Sequence, residues 1–122
     1  MTTNALVSHE RTITKLNPII ECALRDAENC KMAGEYQLAL ELFNMVISED
    51  PSNARALHSK ADVHDMMGDY SVAIRCYDNA LECDPNNAEV WYNRGMTLRK
   101  MDRHEEGIGN IRKGISLAMG DV

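Results

Sequence analysis

Shifting the sequence by 34 residues lays its turn residues on one another, and no other feature restricts the possible folds as much. Asp50-Pro51-Ser52-Asn53-Ala54 falls on Asp84-Pro85-Asn86-Asn87-Ala88. Gly34-Glu35-Tyr36 falls on Gly68-Asp69-Tyr70 and then on Asp102-Arg103-His104. Ala39-Leu40, Ala73-Ile74 and Gly107-Ile108 coincide, as do Phe43, Tyr77 and Ile111, and Val46, Ala80 and Gly114. Three units follow, 20–53, 54–87 and 88–121. A repeat of this length cannot bury its apolar face alone, so neighbouring units must stack to build a core.

Each unit reads as two helices. A stretch free of breakers, such as 54–67, leads from the Pro to the Gly, and a second of similar length leads on to the next Pro. Gly34 and Gly68 supply the left-handed residue that ends the first helix. Pro51 and Pro85 stop the second, because proline cannot donate to the preceding turn and biases its neighbour toward an extended backbone. Asn53 and Asn87 stand where they can cap the helix that follows. Leu40, Phe43, Val46 and Ile47 recur at three- and four-residue steps, the period of a helix face. Small residues, Ala39, Ala73 and Ala80, allow two helices to approach closely. No stretch alternates like a strand, so the predicted class is all-α.

Composition narrows the function. Thirteen Lys and Arg stand against 19 Asp and Glu, a net charge of −6 that is the wrong sign for tracking a phosphate backbone. Aromatic residues are only 5%, too few for a base-stacking platform. No apolar run approaches the roughly 20 residues that span a bilayer, and MTTNALVSHERTITK lacks the basic flank and apolar stretch of a secretory signal. Cys22 and Cys30, and Cys76 and Cys83, lie too far apart for a metal knuckle or a C-x-x-C redox pair. Reduced, mostly buried thiols and a cytoplasmic location are expected.

The third unit carries Trp91-Tyr92-Asn93-Arg94-Gly95, the second helices of units two and three repeat the spacing of small, aromatic or Ile, and small residues, and units one and two end on a Pro. In these residues the chain resembles the tetratricopeptide repeat (TPR) family over residues 20–121, and the wording from Asp84 to Gly95 resembles its prokaryotic members. Ala23 and Leu57 replace the usual Trp, Ala27 and Ala61 the usual Gly, and Cys30 and His64 the usual Tyr. The resemblance implies a right-handed α-solenoid of three helix pairs, first helices lining a concave groove and second helices on the convex side. It further implies a non-catalytic scaffold without cofactor that binds a protein or peptide.

Repeat position then assigns the groove. The first unit offers Glu21, Leu24, Glu28 and Lys31, the second Arg55, His58, Asp62 and Asp65, and the third Glu89, Tyr92, Asn93, Met96 and Arg99. Leu24, Tyr92 and Met96 would give apolar contact to an extended or helical peptide, and Arg55 and Arg99 would hold acidic side chains. Family members that hold the C-terminal carboxylate of heat-shock chaperones use two Lys, two Asn and one Arg. The matching positions here are Leu24, Glu28, Ser59, Glu89 and Asn93, so that ligand is excluded.

No nucleophile elbow, zinc-protease motif or Gly-rich phosphate loop is present, so catalysis is not expected. His58, Asp62 and Asp65 share the groove side of one helix and, with Glu28, could hold a divalent metal; a solvated acidic groove is the preferred reading. His64 should be a hydrogen-bonded interior histidine, His9 and His104 surface or interface residues, and Met45, Met66 and Met67 adaptable packing.

The ends differ from the middle. The same offset puts Ala5-Leu6 under Ala39-Leu40 and Ile13 under Ile47, which predicts a lone helix over roughly 3–16, within the segment 1–19, capping the TPR domain 20–122. The last helix keeps a narrow stripe, Ile108, Ile111, Ile115 and Ala118, expected to pack backward onto its partner. Gly107, Gly109 and Gly114 should each cost about 1 kcal/mol against alanine, so this helix should fray or be completed by another chain. Unit one carries −5, unit two −3, and residues 88–122 carry +1, a polarity that suits steering or head-to-tail association. The alternatives to the scaffold are therefore a self-assembling module, a weak homodimer included, and a small chaperone for a secreted substrate.

Overall fold

The computed structural model describes residues 17–120, and among them the chain is wholly helical. The helices are α1 (Pro18–Met32), α2 (Tyr36–Glu49), α3 (Ala54–Met66), α4 (Tyr70–Cys83), α5 (Ala88–Lys100) and α6 (His104–Met119). The helix expected over 3–16 lies outside the described residues. No helix among those described is long and apolar enough to cross a membrane.

Local chemistry explains the boundaries. Asn53 Oδ1 accepts from the Ala56 amide at 3.0 Å and Asn87 Oδ1 from the Val90 amide at 3.1 Å, so both expected caps are made. A third cap sets the first boundary: Asn17 Oδ1 accepts from the Ile19 amide at 2.9 Å, and Pro18 has a backbone nitrogen with no hydrogen to leave unpaired. Helix α1 therefore starts two residues before the first repeat. Gly34 and Gly68 turn the chain at φ of 80° and 83°. The third turn places Asp102 in the same region at 62°, where a side chain is disfavoured.

Each helix packs against its chain neighbours, and the first helices α1, α3 and α5 also touch one another in series, whereas the second helices do not. The stack therefore closes on the side of the first helices, which makes theirs the concave surface. Leu24, Ala27, Ala39, Phe43, Val46, Ala56 and Val63 form one core cluster; Leu57, Ala61, Ala73, Cys76, Tyr77, Ala80 and Val90 form the next. Ile47 packs against both, so the second cluster rests on the first. Met67 packs against the core, but Met45 and Met66 stay exposed. All four cysteines are unpaired; only Cys76 is buried, while Cys22 and Cys83 face solvent, contrary to the expectation of mostly buried thiols.

The third helix pair overturns two expectations. Its buried α6 positions are Gly107 and Gly114, not the isoleucine stripe: Ile108 and Ile115 are exposed, Ala118 faces outward, and only Ile111 is partly covered. These glycines are also not a weakness. A Cβ at Gly107 would lie 2.8 Å from the Gly95 carbonyl oxygen, and one at Gly114 would lie 2.7 Å from that of Ala88. Contact with backbone, not looseness, requires them. Gly109 alone among the three is exposed in the helix, with nothing within 4 Å of where a methyl group would stand. Gly109→Ala is therefore expected to stabilise the protein by up to about 1 kcal/mol, read as a rise in the midpoint of thermal or urea unfolding.

Candidate functional site

The concave surface has a floor of hydrogen-bonded polar side chains that stitch each first helix to the next. Ser59 of α3 donates to Glu28 of α1, and Lys31 reaches Glu28 at 2.9 Å and Asp62 at 3.9 Å. Tyr77, from the convex layer, passes its hydroxyl through the core to donate to Asp62. Asn93 of α5 donates to Asp62 at 3.3 Å and lies 3.0 Å from His58 Nε2, which is itself 3.5 Å from Asp62. Asp65 accepts from Thr97 at 2.6 Å and from Lys100 at 2.7 Å.

The electrostatics follow from burial and pairing. Burial pushes the Glu28 carboxyl up, but the hydrogen bond from Ser59 and the bond and charge of Lys31 outweigh it and hold the group below its ordinary range. At Asp62 burial wins, and the carboxyl lies above its ordinary range despite His58, Tyr77 and Lys31. Burial and the adjacent Asp62 together raise the Tyr77 hydroxyl, which keeps it a donor. His58, Asp62, Asp65 and Glu28 are thus engaged with Tyr77, Asn93, Thr97, Ser59 and Lys31. The floor is interlocked and half-buried, which replaces the solvated acidic groove expected from sequence. Among the described residues, no group of three or more His, Cys, Asp and Glu is gathered as a metal would require.

Not every assigned residue faces the groove. Leu24 is 2% exposed and belongs to the core, so its assignment as a contact is corrected. Its registers one and two units on are His58, half-buried under Asn93, and Tyr92, which is exposed. Each such residue is covered by the first helix of the following unit, and among the described residues nothing follows α5 in that layer. Glu21 and Arg55 pair across 3.6 Å at the exposed rim, Glu89 stands free apart from a 4.0 Å approach to His58, and Arg99 is exposed beside a half-buried Met96. Sequence reading missed Ser59, Thr97 and Tyr77 as parts of the site. Ser and Thr there recur in no other unit, but Tyr77 against Phe43 was a visible sign that one spine position had gained a polar end.

On the convex side His64 is interior as expected, but among the described residues its buried Nδ1 has no hydrogen-bond partner and is 3.7 Å from Asp69. His104 is exposed at the surface, and His9 lies outside the described residues.

Residues 54–87 match one tetratricopeptide-repeat family model and residues 76–108 match another. The chain carries tetratricopeptide repeats over residues 54–108. Its backbone superimposes on a crystal structure of MamA with a TM-score of 0.77 at 19% identity, covering 84% of this chain and 60% of that one. The Yersinia enterocolitica type III secretion translocator chaperone SycD gives 0.78 at 19% identity, covering 80% of this chain and 74% of that one. Thermobaculum terrenum O-GlcNAc transferase gives 0.77 at 26% identity, over 80% of this chain but only 19% of that enzyme. The chain thus spans under two thirds of the MamA structure and a fifth of the transferase, and these likenesses establish the TPR fold alone. No curated protein matches the sequence significantly.

Proposed function

We propose that this TPR chain is a non-catalytic scaffold that binds an extended or helical segment of a partner protein along α1, α3 and α5. The observation that carries this reading is the division of the concave surface into a locked floor and an exposed rim. The floor residues Glu28, His58, Asp62, Asp65 and Asn93 are held by one another and by Ser59, Lys31, Tyr77, Thr97 and Lys100, which fixes the three helices in one geometry. Glu21, Arg55, Glu89, Tyr92, Met96 and Arg99 stand at or above it, supplying charge of both signs and one aromatic anchor. A surface already ordered loses little entropy when a ligand binds.

Aromatic and arginine side chains dominate binding energy at such surfaces, so Tyr92 and Arg55 are assigned the largest shares. With Glu28 and Glu89 at the clamp positions, a free C-terminal carboxylate would be repelled, and the ligand is an internal segment. Peptides selected from a displayed random library supply the probe, with affinity measured by calorimetry. Tyr92→Ala and Arg55→Glu should each weaken binding by about tenfold or more. Selected peptides that bind both variants as tightly as the wild type would remove the groove from consideration.

A further inference from the structure

The outward face of α6 repeats residues that are covered in the preceding units. Ile108 stands in the register of Ile74, and Ile115 in that of Leu81 and Ile47. Ile74 is 8% exposed and Ile47 packs against both core clusters, whereas Ile108 and Ile115 are 43% and 52% exposed. In the interior the first helix of the next unit lies on this face, as α5 lies on α4. Among the described residues nothing lies on this face of α6. An open apolar cleft of about 280 Å³, lined by Tyr92, Gly114, Ile115 and Ala118 among others, continues the face onto α5.

Charge in register identifies the occupant. Across the α4–α5 seam, Arg94 Nε donates to Asp78 at 2.9 Å. One unit further on, the register of Asp78 holds Arg112, with the sign reversed. A helix lying on α6 as α5 lies on α4 therefore needs an acid in the register of Arg94. Helix α3 has Lys60 there and α5 has Arg94; only α1 has an acid, Asp26. A second seam contact agrees: Lys31 approaches Asp62 between α1 and α3, and the same registers beyond α5 pair Arg99 with Glu28. One register opposes, because that of the Glu21–Arg55 pair would set Glu89 against Glu21, but both are exposed at the rim, where salt screens them. On α1, Cys22 and Asp26 hold the registers of Val90 and Arg94 and are exposed, and neither Asp26 nor Arg112 has an ion-pair partner among the described residues. Unit one is the most acidic unit of the chain, and unit three carries more bases than any other unit.

We propose that α6 is the docking site for α1 of a second copy of this chain, so that the solenoid continues head to tail with Arg112 against Asp26. Such an interface joins unlike surfaces, does not close at two copies, and takes the face of α1 that the helix expected over 3–16 would otherwise cap. It meets the groove at Tyr92, Arg99 and Glu28, but neither Arg112 nor Asp26 takes part in the groove assignment, so reversing those two charges tests the interface alone. The test is sedimentation equilibrium of the full chain over a concentration series at low salt. The weight-average mass should rise past the dimer without a plateau. Arg112→Asp or Asp26→Arg alone sets like charges across the seam and should weaken association by about tenfold or more. The two single variants mixed together, or both changes in one chain, should restore it, with helix content unchanged throughout because both side chains are exposed. A monomer persisting to millimolar concentration, a plateau at the dimer, or association indifferent to the reversals would overturn the proposal.

Discussion

Tyr77→Ala is expected to destabilise the protein by about 3–5 kcal/mol, enough to leave a three-repeat array largely unfolded at room temperature. The ring is 1% exposed in the middle of the second core cluster, which itself rests on the first through Ile47, so the cavity opens where no repeat can relax alone. Tyr77→Phe separates the two contributions of the side chain. It keeps the packing and removes only the donor to Asp62, which should cost about 1–2 kcal/mol in urea unfolding. Asp62→Asn should cost less than Tyr77→Phe, because the amide oxygen still accepts from Tyr77 while the buried charge is gone. The pH dependence has a definite sign. Asp62 titrates above its ordinary 3.8 when folded, so the native state holds the proton more tightly than the unfolded one, and this group's contribution to stability falls as pH rises through that window. The difference between wild type and Asp62→Asn should therefore shift in favour of the variant as pH is raised from about 4. A Phe variant as unstable as the Ala variant would mean that the hydroxyl, not the ring, holds the second unit.

Much of this fold was legible because its determinants are local and repeated. Asn53 and Asn87 cap, Gly34 and Gly68 turn, and Ala39, Ala73 and Ala80 are buried, each through the chemistry that its residue type dictates at any helix end or crossing. The concave site was legible only as a set of positions. Repeat register says which helix face a residue occupies, but not what the following unit lays over it, so Leu24, His58 and Tyr92 share a register yet run from core to surface. The floor was equally hidden. Ser59 with Glu28, and Thr97 with Asp65, pair residues about a full repeat apart that belong to no periodic pattern. The isoleucines of α6 misled for a related reason: an apolar stripe identifies a face that wants covering, not which neighbour covers it.

The glycines of the last helix pair show most sharply where helix propensity alone misleads, and they lead to the second large effect. Propensity makes Gly→Ala favourable by about 1 kcal/mol in any helix interior, so Gly95, Gly107, Gly109 and Gly114 would all improve on substitution if helix formation were the only issue. Three of them instead stand in the registers of buried alanines or valine: Gly95 with Ala27 and Ala61, Gly107 with Ala39 and Ala73, Gly114 with Val46 and Ala80. The third pair of helices is drawn together until even a methyl group does not fit. A Cβ on Gly95 would be 2.6 Å from the Gly107 carbonyl oxygen and 2.8 Å from Ile111 Cγ1, and the first of these obstacles is backbone, which no rotamer change can move. Gly95→Ala should therefore push α5 and α6 apart and destabilise by about 1–3 kcal/mol net, lowering the melting temperature by on the order of 10 °C. Gly107→Ala and Gly114→Ala should act in the same direction, opposite to Gly109→Ala. Amide exchange should localise the loss to residues 88–119, leaving α3 and α4 protected, because an end unit of a linear array can open without its neighbours. If Gly95→Ala instead stabilised the protein as Gly109→Ala should, the two helices would have to stand further apart than the close Gly95–Gly107 crossing places them.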